Sequence, residues 1–372
     1  MTQQALFPTP RPVYDHGLLS DWTGVAPHGL RAVATFSGCG GSSLGLVGAG
    51  WRVVYAVEFV EAARTSYVAN FPTTPVDSRD IRAVRGAEIA EAVGEVDLLE
   101  GSPPCSPFSI AGSRDAGWGK VKSYSDTRQR TDDLFFEWAR LVAELRPRAV
   151  LAENVPSLAT GGSAARYLLP LLGGLRRLGY SVAVRVLSAD HFGVPQSRDR
   201  LVVVGFRADT GIEAWRVWPE RLPHSFTLAD ALAAAGPSPE DELVAASMER
   251  YAVGAEWRRL PVGGHSDRYL NLVRPDPARP CPTVTQTGAA PHAASVAHPH
   301  ECRKFTPTEL RAICGFPRDF VLTGDPEQQY ERLGRAVPPP MYAAVARRMA
   351  DLLLDAASTG PSTSALGAGH AS

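Results

Sequence analysis

The stretch LRAVATFSGCGGSSLGLVGAGWRVVYAVE, residues 30–58, decides the fold. A short apolar run enters a glycine-rich turn, a second apolar run follows, and an acid closes it, the pattern of two strands joined across a helix. The alternation continues outward: EAARTSYVAN reads as helical, VDLL as a strand, RAVLAENV as a buried strand, and YSVAVRVLSADHFG and RLVVVGF as two more. Between them, DDLFFEWARLVAELRP sets Leu134, Phe135, Trp138, Leu141, Val142 and Leu145 on one helical face, with Asp132 or Asp133 as cap and Pro147 past the end. An α/β fold with a mostly parallel sheet follows. In such sheets ligands bind outside the carboxyl ends of the strands.

Three features at those ends carry chemistry. The turn at Gly38, Gly40 and Gly41 lets the backbone approach a ligand at a helix N-terminus, and Glu58 at the end of the second strand suits a ribose diol. A nicotinamide dinucleotide and S-adenosylmethionine both fit that much. Ser43 stands where the third glycine of a dinucleotide fingerprint belongs, and nothing downstream looks like a hydride-transfer site, which favours S-adenosylmethionine. The second feature is VDLLEGSPPCSPFS, residues 96–109: Pro103 and Pro104 fix φ and carry no N–H, so Cys105 is presented on a stiff rim. The third pairs Glu153 of ENV, at a strand end, with Arg198 and Arg200 of QSRDR, residues 196–200. One arginine is expected to face a base or phosphate and the other, pointing the opposite way, to make a structural contact. Singly, each piece has a plain structural reading; their order and their placement at strand ends point to one site.

These motifs resemble the bacterial cytosine-5 DNA methyltransferase family, over roughly residues 30–355. The resemblance implies a Rossmann-like class I methyltransferase domain with a mostly parallel sheet, plus a smaller target-recognition domain. It implies methyl transfer from S-adenosylmethionine, leaving S-adenosylhomocysteine, to carbon 5 of a flipped-out cytosine in a specific DNA sequence. Cys105 would add to carbon 6, Glu153 would hydrogen-bond nitrogen 3 and the amino group, and both arginines would belong to the catalytic motif, with Arg198 nearer the base. Phe36, Gly38, Gly40 and Gly41 would line the donor, Glu58 would hold the ribose, Phe59 would stack on adenine and Asp80 would accept from its amino group. Ile81, Pro104, Arg335 and Ala336 complete the implied donor contacts. Asp80 reads equally well as a helix cap, and Phe36 and Phe59 as core. Thr35, Ser106 and Arg335 depart from the family, which commonly has leucine, glutamine and asparagine there.

The boundaries expected are a loosely ordered lead-in over 1–28, a catalytic domain over 29–206 and 326–356, a recognition domain over 207–325, and a disordered tail over 357–372. Net charge is −1, so DNA binding rests on distribution: residues 109–130 hold Arg114, Lys120, Lys122, Arg128 and Arg130 against two acids. With Gly112, Gly117, Gly119, Trp118 and Tyr124, this stretch reads as a mobile lid over Cys105 that meets phosphates. Arg258, Arg259, His265, Arg268, Tyr269 and Arg274 suit recognition of bases and phosphates. Five cysteines without a C-x-x-C pair argue against disulfides and zinc, and HPHEC, residues 298–302, lacks a four-ligand spacing. The partner expected is double-stranded DNA, with a possible cognate restriction endonuclease, for a monomer in the cytoplasm without a membrane span. The alternatives are the same chemistry on RNA, a non-catalytic DNA-binding module and, more distantly, an oxidoreductase.

Overall fold

The computed structural model describes residues 12–104, 122–124, 127–129, 133–160, 162 and 164–358. Its centre is a seven-stranded sheet. The strands are β1 (Arg31–Thr35), β2 (Arg52–Val57), β3 (Val76–Asp77), β4 (Leu98–Gly101), β7 (Ala149–Asn154), β8 (Tyr180–Ser188) and β10 (Asp199–Arg207). A ribbon of β5 (Lys122–Tyr124) and β6 (Thr127–Gln129) and a short pair of β9 (Gln196–Ser197) and β11 (Cys281–Pro282) lie outside it.

The sheet order is β3-β2-β1-β4-β7-β10-β8, so the chain reverses direction across the sheet between β1 and β4. A crevice forms at the carboxyl ends where such a reversal occurs. All neighbours are parallel except β10, which runs antiparallel to β7 and β8. That inversion brings the start of β10 to the edge where β7 ends. β4 and β7 are buried throughout, as their continuous apolar runs require when helices cover both faces.

Helices α1 (Leu19–Thr23), α2 (Gly41–Gly48), α3 (Glu61–Asn70), α4 (Gly86–Val93), α5 (Leu134–Leu145) and α6 (Leu169–Arg177) come from the first half. In the second half lie α7 (Leu228–Ala235), α8 (Glu240–Ala246), α9 (Ala252–Trp257), α10 (Pro307–Cys314), α11 (Pro326–Arg335) and α12 (Pro339–Ser358). The predicted apolar face of α5 is buried at Leu134, Phe135, Trp138, Leu141 and Val142. Asp133 does stand at its N-cap position, but its carboxylate turns to Arg82 instead of capping the helix.

Two expectations need correction. The lead-in is not loose over 12–28: Tyr14 donates its hydroxyl hydrogen to the Ala312 carbonyl at 2.6 Å, His16 bonds the Phe316 carbonyl at 2.7 Å, and both are buried. Nor does residue 325 mark a clean edge. Leu310, Ile313, Phe316 and Phe320 share one core with Ala34, Leu44 and Tyr67 of the sheet side, because α10 is capped by a Thr306–Glu309 box and buries its apolar face there. A separate small core, Met248, Val253, Trp257, Leu260, Leu272 and Ala297, holds the middle of the recognition segment.

The link between the last two helices closes on the glycine turn. A Cβ on Gly41 would lie 2.5 Å from the Val337 carbonyl oxygen and 3.1 Å from the Phe316 ring. Gly41→Ala is therefore expected to cost about 1–3 kcal/mol by overpacking, read as a lowered denaturant midpoint. An unchanged midpoint would mean this contact is loose.

Candidate active site

The carboxyl edge of the sheet gathers the residues singled out by sequence. Phe36 leaves β1 with φ of 54°, a left-handed conformation that strains a bulky residue and recurs at ligand sites. Gly38 and Gly40 also have positive φ, and α2 begins at Gly41. Glu58 follows β2 and is buried; one carboxylate oxygen accepts the Gly38 N–H at 2.7 Å and the other the Val60 N–H at 2.7 Å. Burial pushes its carboxyl upward, while those two N–H groups and the nearby Arg64 and Arg335 pull it back. Phe59 is half-buried beside it, and Ile81 is part of the core.

Asp80 takes its helix-cap reading: its side chain accepts the Arg82 N–H at 3.0 Å and pairs with the Arg82 guanidinium at 2.9 Å. Arg335 pairs with Glu331 at 2.5 Å, one turn back on α11. Ala336 offers its carbonyl to Arg198 at 3.1 Å.

The second cluster lies beyond β4 and β7. Asn154 donates to the Pro103 carbonyl at 3.0 Å and so fastens the proline turn to the end of β7. Pro104 follows, half-buried. Glu153 sits beside Arg200, with Arg200 Nε 2.6 Å from its Oε1 and both side chains about nine-tenths buried. β10 runs antiparallel to β7, so its second residue meets the last turn of ENV.

Arg198 does not join them, which reverses the expected order. On an unbroken strand, residues two apart share a face; the chain breaks between β9 and β10 at Arg198, and its guanidinium turns inward. It donates to the carbonyls of Val284 at 2.8 Å, Gly334 at 2.9 Å and Ala336 at 3.1 Å, and is buried. Among the described contacts, then, Arg198 holds backbone carbonyls and Arg200 is the arginine that meets Glu153. Gln196 is buried alongside it, its amide directed at Cys314 Sγ.

Cys105 and Lys120 lie outside the described residues, as does most of the expected lid; Lys122 and Arg128 fall on the two strands of the β5–β6 ribbon. The other four cysteines, Cys39, Cys281, Cys302 and Cys314, all have thiols that burial holds above the ordinary value. Raised thiols are poor sources of thiolate.

In the recognition segment, Arg258 is engaged with Glu249, Arg259 is mostly exposed with Glu256 at 3.8 Å, and Arg268 is exposed over the ring of Tyr269. Arg274 is engaged within the protein: it donates to Pro299 and Leu260 carbonyls, both at 2.8 Å, and lies over Trp257. His298 of HPHEC accepts the Glu301 N–H at 3.0 Å, so it too serves the local backbone. Among the described residues, no group of three or more histidine, cysteine or acidic side chains could hold a metal, and no helix is long and apolar enough to cross a membrane.

With this geometry in place, the comparisons are direct. The family model for C-5 cytosine-specific DNA methylases matches residues 30–260 and 265–351. The chain belongs to that family. The methyltransferase is similar to the Type II methyltransferase M.PspPI of Psychrobacter sp. (strain TA137), 32% identical over 86% of this chain and 79% of the relative. It is also similar to the Type II methyltransferase M.Eco47II of Escherichia coli, 31% identical over 90% of this chain and 82% of the relative. Among solved structures, a candidate DNA modification methyltransferase encoded within an E. coli prophage superposes with a TM-score of 0.69 at 21% identity, over 87% of this chain and 99% of that one. At that identity the match speaks for the fold.

A methyl donor is implied by the family, and the residues around the turn fit one. A Cβ at Gly38 would meet nothing within 4 Å, so the backbone there faces open space beside the acid of Glu58. A carboxylate has about four lone-pair sites, so two backbone N–H groups leave room for two hydroxyls.

One buried acid behind the glycine turn was not singled out in the sequence of the methyltransferase. Glu100 is wholly buried at the end of β4, with Ser42 and Tyr342 on its two oxygens. Its signal was a single acid inside an apolar run, in a strand buried on both faces.

Proposed function

We propose that this enzyme transfers a methyl group from S-adenosylmethionine to carbon 5 of a cytosine flipped out of double-stranded DNA, through a transient bond between Cys105 and carbon 6. The observation that carries the reading is the Glu153–Arg200 pair beside the Pro103–Pro104 turn that Asn154 fastens, across the crevice from Glu58. S-adenosylmethionine, when bound, supplies an electrophilic methyl on a sulfonium centre.

The chain's own residues supply the rest. Glu58 binds the ribose hydroxyls, and Phe36 and Phe59 offer faces to the adenine. Carbon 5 of cytosine is a weak nucleophile; addition of the Cys105 thiolate to carbon 6 makes it enamine-like. Glu153 hydrogen-bonds nitrogen 3 and the exocyclic amine and passes a proton toward nitrogen 3 as the ring takes up charge. Arg200 orients that carboxyl and lies within reach of the base carbonyl. Once carbon 5 has taken the methyl group, leaving S-adenosylhomocysteine, its proton leaves to an ordered water, the proton on nitrogen 3 returns to Glu153, and the thiolate is expelled.

Extrusion of the base costs a few kcal/mol, which DNA contacts must supply. Exposed Arg259 and Arg268 and the cations of residues 109–130 are assigned that work. The Type II names of the relatives support a modification role in a restriction system, with a cognate endonuclease as partner.

DNA carrying 5-fluorocytosine tests the reading, because fluorine at carbon 5 blocks the final elimination. A stable protein–DNA adduct is expected with S-adenosylmethionine present and none with Cys105→Ser. An adduct retained by Cys105→Ser would overturn the assignment, and an adduct on 5-fluorocytosine RNA alone would move the substrate to RNA.

A further inference from the structure

Behind the glycine turn lies a buried ionisable group that the chemistry above does not use. Glu100 lies on β4, five residues before Cys105, and is fully buried. Ser42 Oγ, in the first turn of α2, lies 2.8 Å from Oε1, and the Tyr342 hydroxyl, on α12, lies 2.9 Å from Oε2. Its backbone carbonyl accepts the Thr35 hydroxyl of β1 at 2.8 Å. One residue thereby joins the strand that leads to the nucleophile, the glycine turn and the last helix.

The surroundings favour the neutral acid. Among the described residues no cation pairs with Glu100; the titratable groups facing it are Tyr342, Tyr67 of α3, whose hydroxyl bonds Ser43 at 3.0 Å, and Glu153 of β7. A carboxylate there would have two hydroxyl partners and a second acid as neighbour. We propose that Glu100 is a positioning residue which, as the neutral acid, locks the glycine turn to β4 and α12 and lets the turn loosen when it ionises.

Burial, only partly offset by the two hydroxyls, holds this carboxyl up to about 8. Between the ordinary glutamate value near 4.5 and 8, the unfolded chain gives up the proton while the folded chain keeps it. Stability contributed at this position is therefore full below 4.5 and declines as pH rises through that window, reaching its minimum above 8. The consequence for donor binding comes on the alkaline side of 8.

The inference rests on the S-adenosylmethionine reading, and its test separates the two. S-adenosylhomocysteine binding is measured calorimetrically from pH 6.5 to 9.5 for the wild-type chain and for Glu100→Gln, whose amide keeps both hydroxyl contacts without a titrating proton. The ligand's own amine titrates alike in both, so the readout is the ratio of wild-type to variant Kd. That ratio is expected to rise about fivefold or more between pH 7 and 9.5. A flat ratio overturns the positioning role while leaving the donor reading intact. Failure of the wild type to bind at any pH overturns both. If Glu100→Gln does not fold, Tyr342→Phe decides: loss of a donor to the carboxylate must move the alkaline weakening to higher pH, and an unmoved transition overturns the proposal.

Discussion

Glu153→Gln is expected to slow methyl transfer by roughly 10²–10⁴-fold, measured as single-turnover transfer of a tritiated methyl group to DNA. Glutamine occupies the same volume and can still donate a hydrogen bond to nitrogen 3, but it cannot give up a proton. The loss should therefore fall on the chemical step, with the affinity for S-adenosylhomocysteine unchanged, since the donor cradle is built from β1 and β2 and not from β7. Arg200→Met should follow it in kind, because Arg200 touches Oε1 of the same carboxylate. A decrease of less than tenfold for Glu153→Gln would show that proton donation to the ring comes from elsewhere.

Why the sequence exposed this pair and not its geometry is a matter of range. ENV, the proline turn and the glycine turn are local: each combines a buried apolar run with an abrupt change at its end, and the strand and its carboxyl edge follow from that. The antiparallel placement of β10 is non-local, and apolar runs such as RLVVVGF carry no direction. Without that placement, nothing in QSRDR tells which arginine meets Glu153.

Arg274 shows the same limit of range. An arginine among aromatics and glycines reads as a ligand for DNA, and only the fold shows its guanidinium spent on Pro299, Leu260 and Trp257. Glu100 is the opposite case. One acid inside an apolar run, it becomes visible only when α2 and α12, far apart in the chain, bring two hydroxyls to it.

Arg198 supplies the second large effect, and it separates an arginine that holds backbone carbonyls from the one two residues away that meets Glu153. Its guanidinium closes three carbonyls drawn from two segments, Val284 on one side and Gly334 and Ala336 on the other. Arg198→Met fills much of the volume yet leaves those buried acceptors unpaired, and each such loss costs about 1–3 kcal/mol. A destabilisation of about 3–5 kcal/mol is expected, near the upper end for single substitutions, seen as a fall in the urea midpoint with an unchanged slope. Because Gly334 and Ala336 adjoin Val337, which packs on Gly41, donor binding should weaken as well. Lowering the temperature until Arg198→Met is folded should restore most of its activity, whereas Arg200→Met should stay impaired when fully folded. If Arg198→Met were stable yet inactive in the cold, the roles assigned to the two arginines would have to be exchanged.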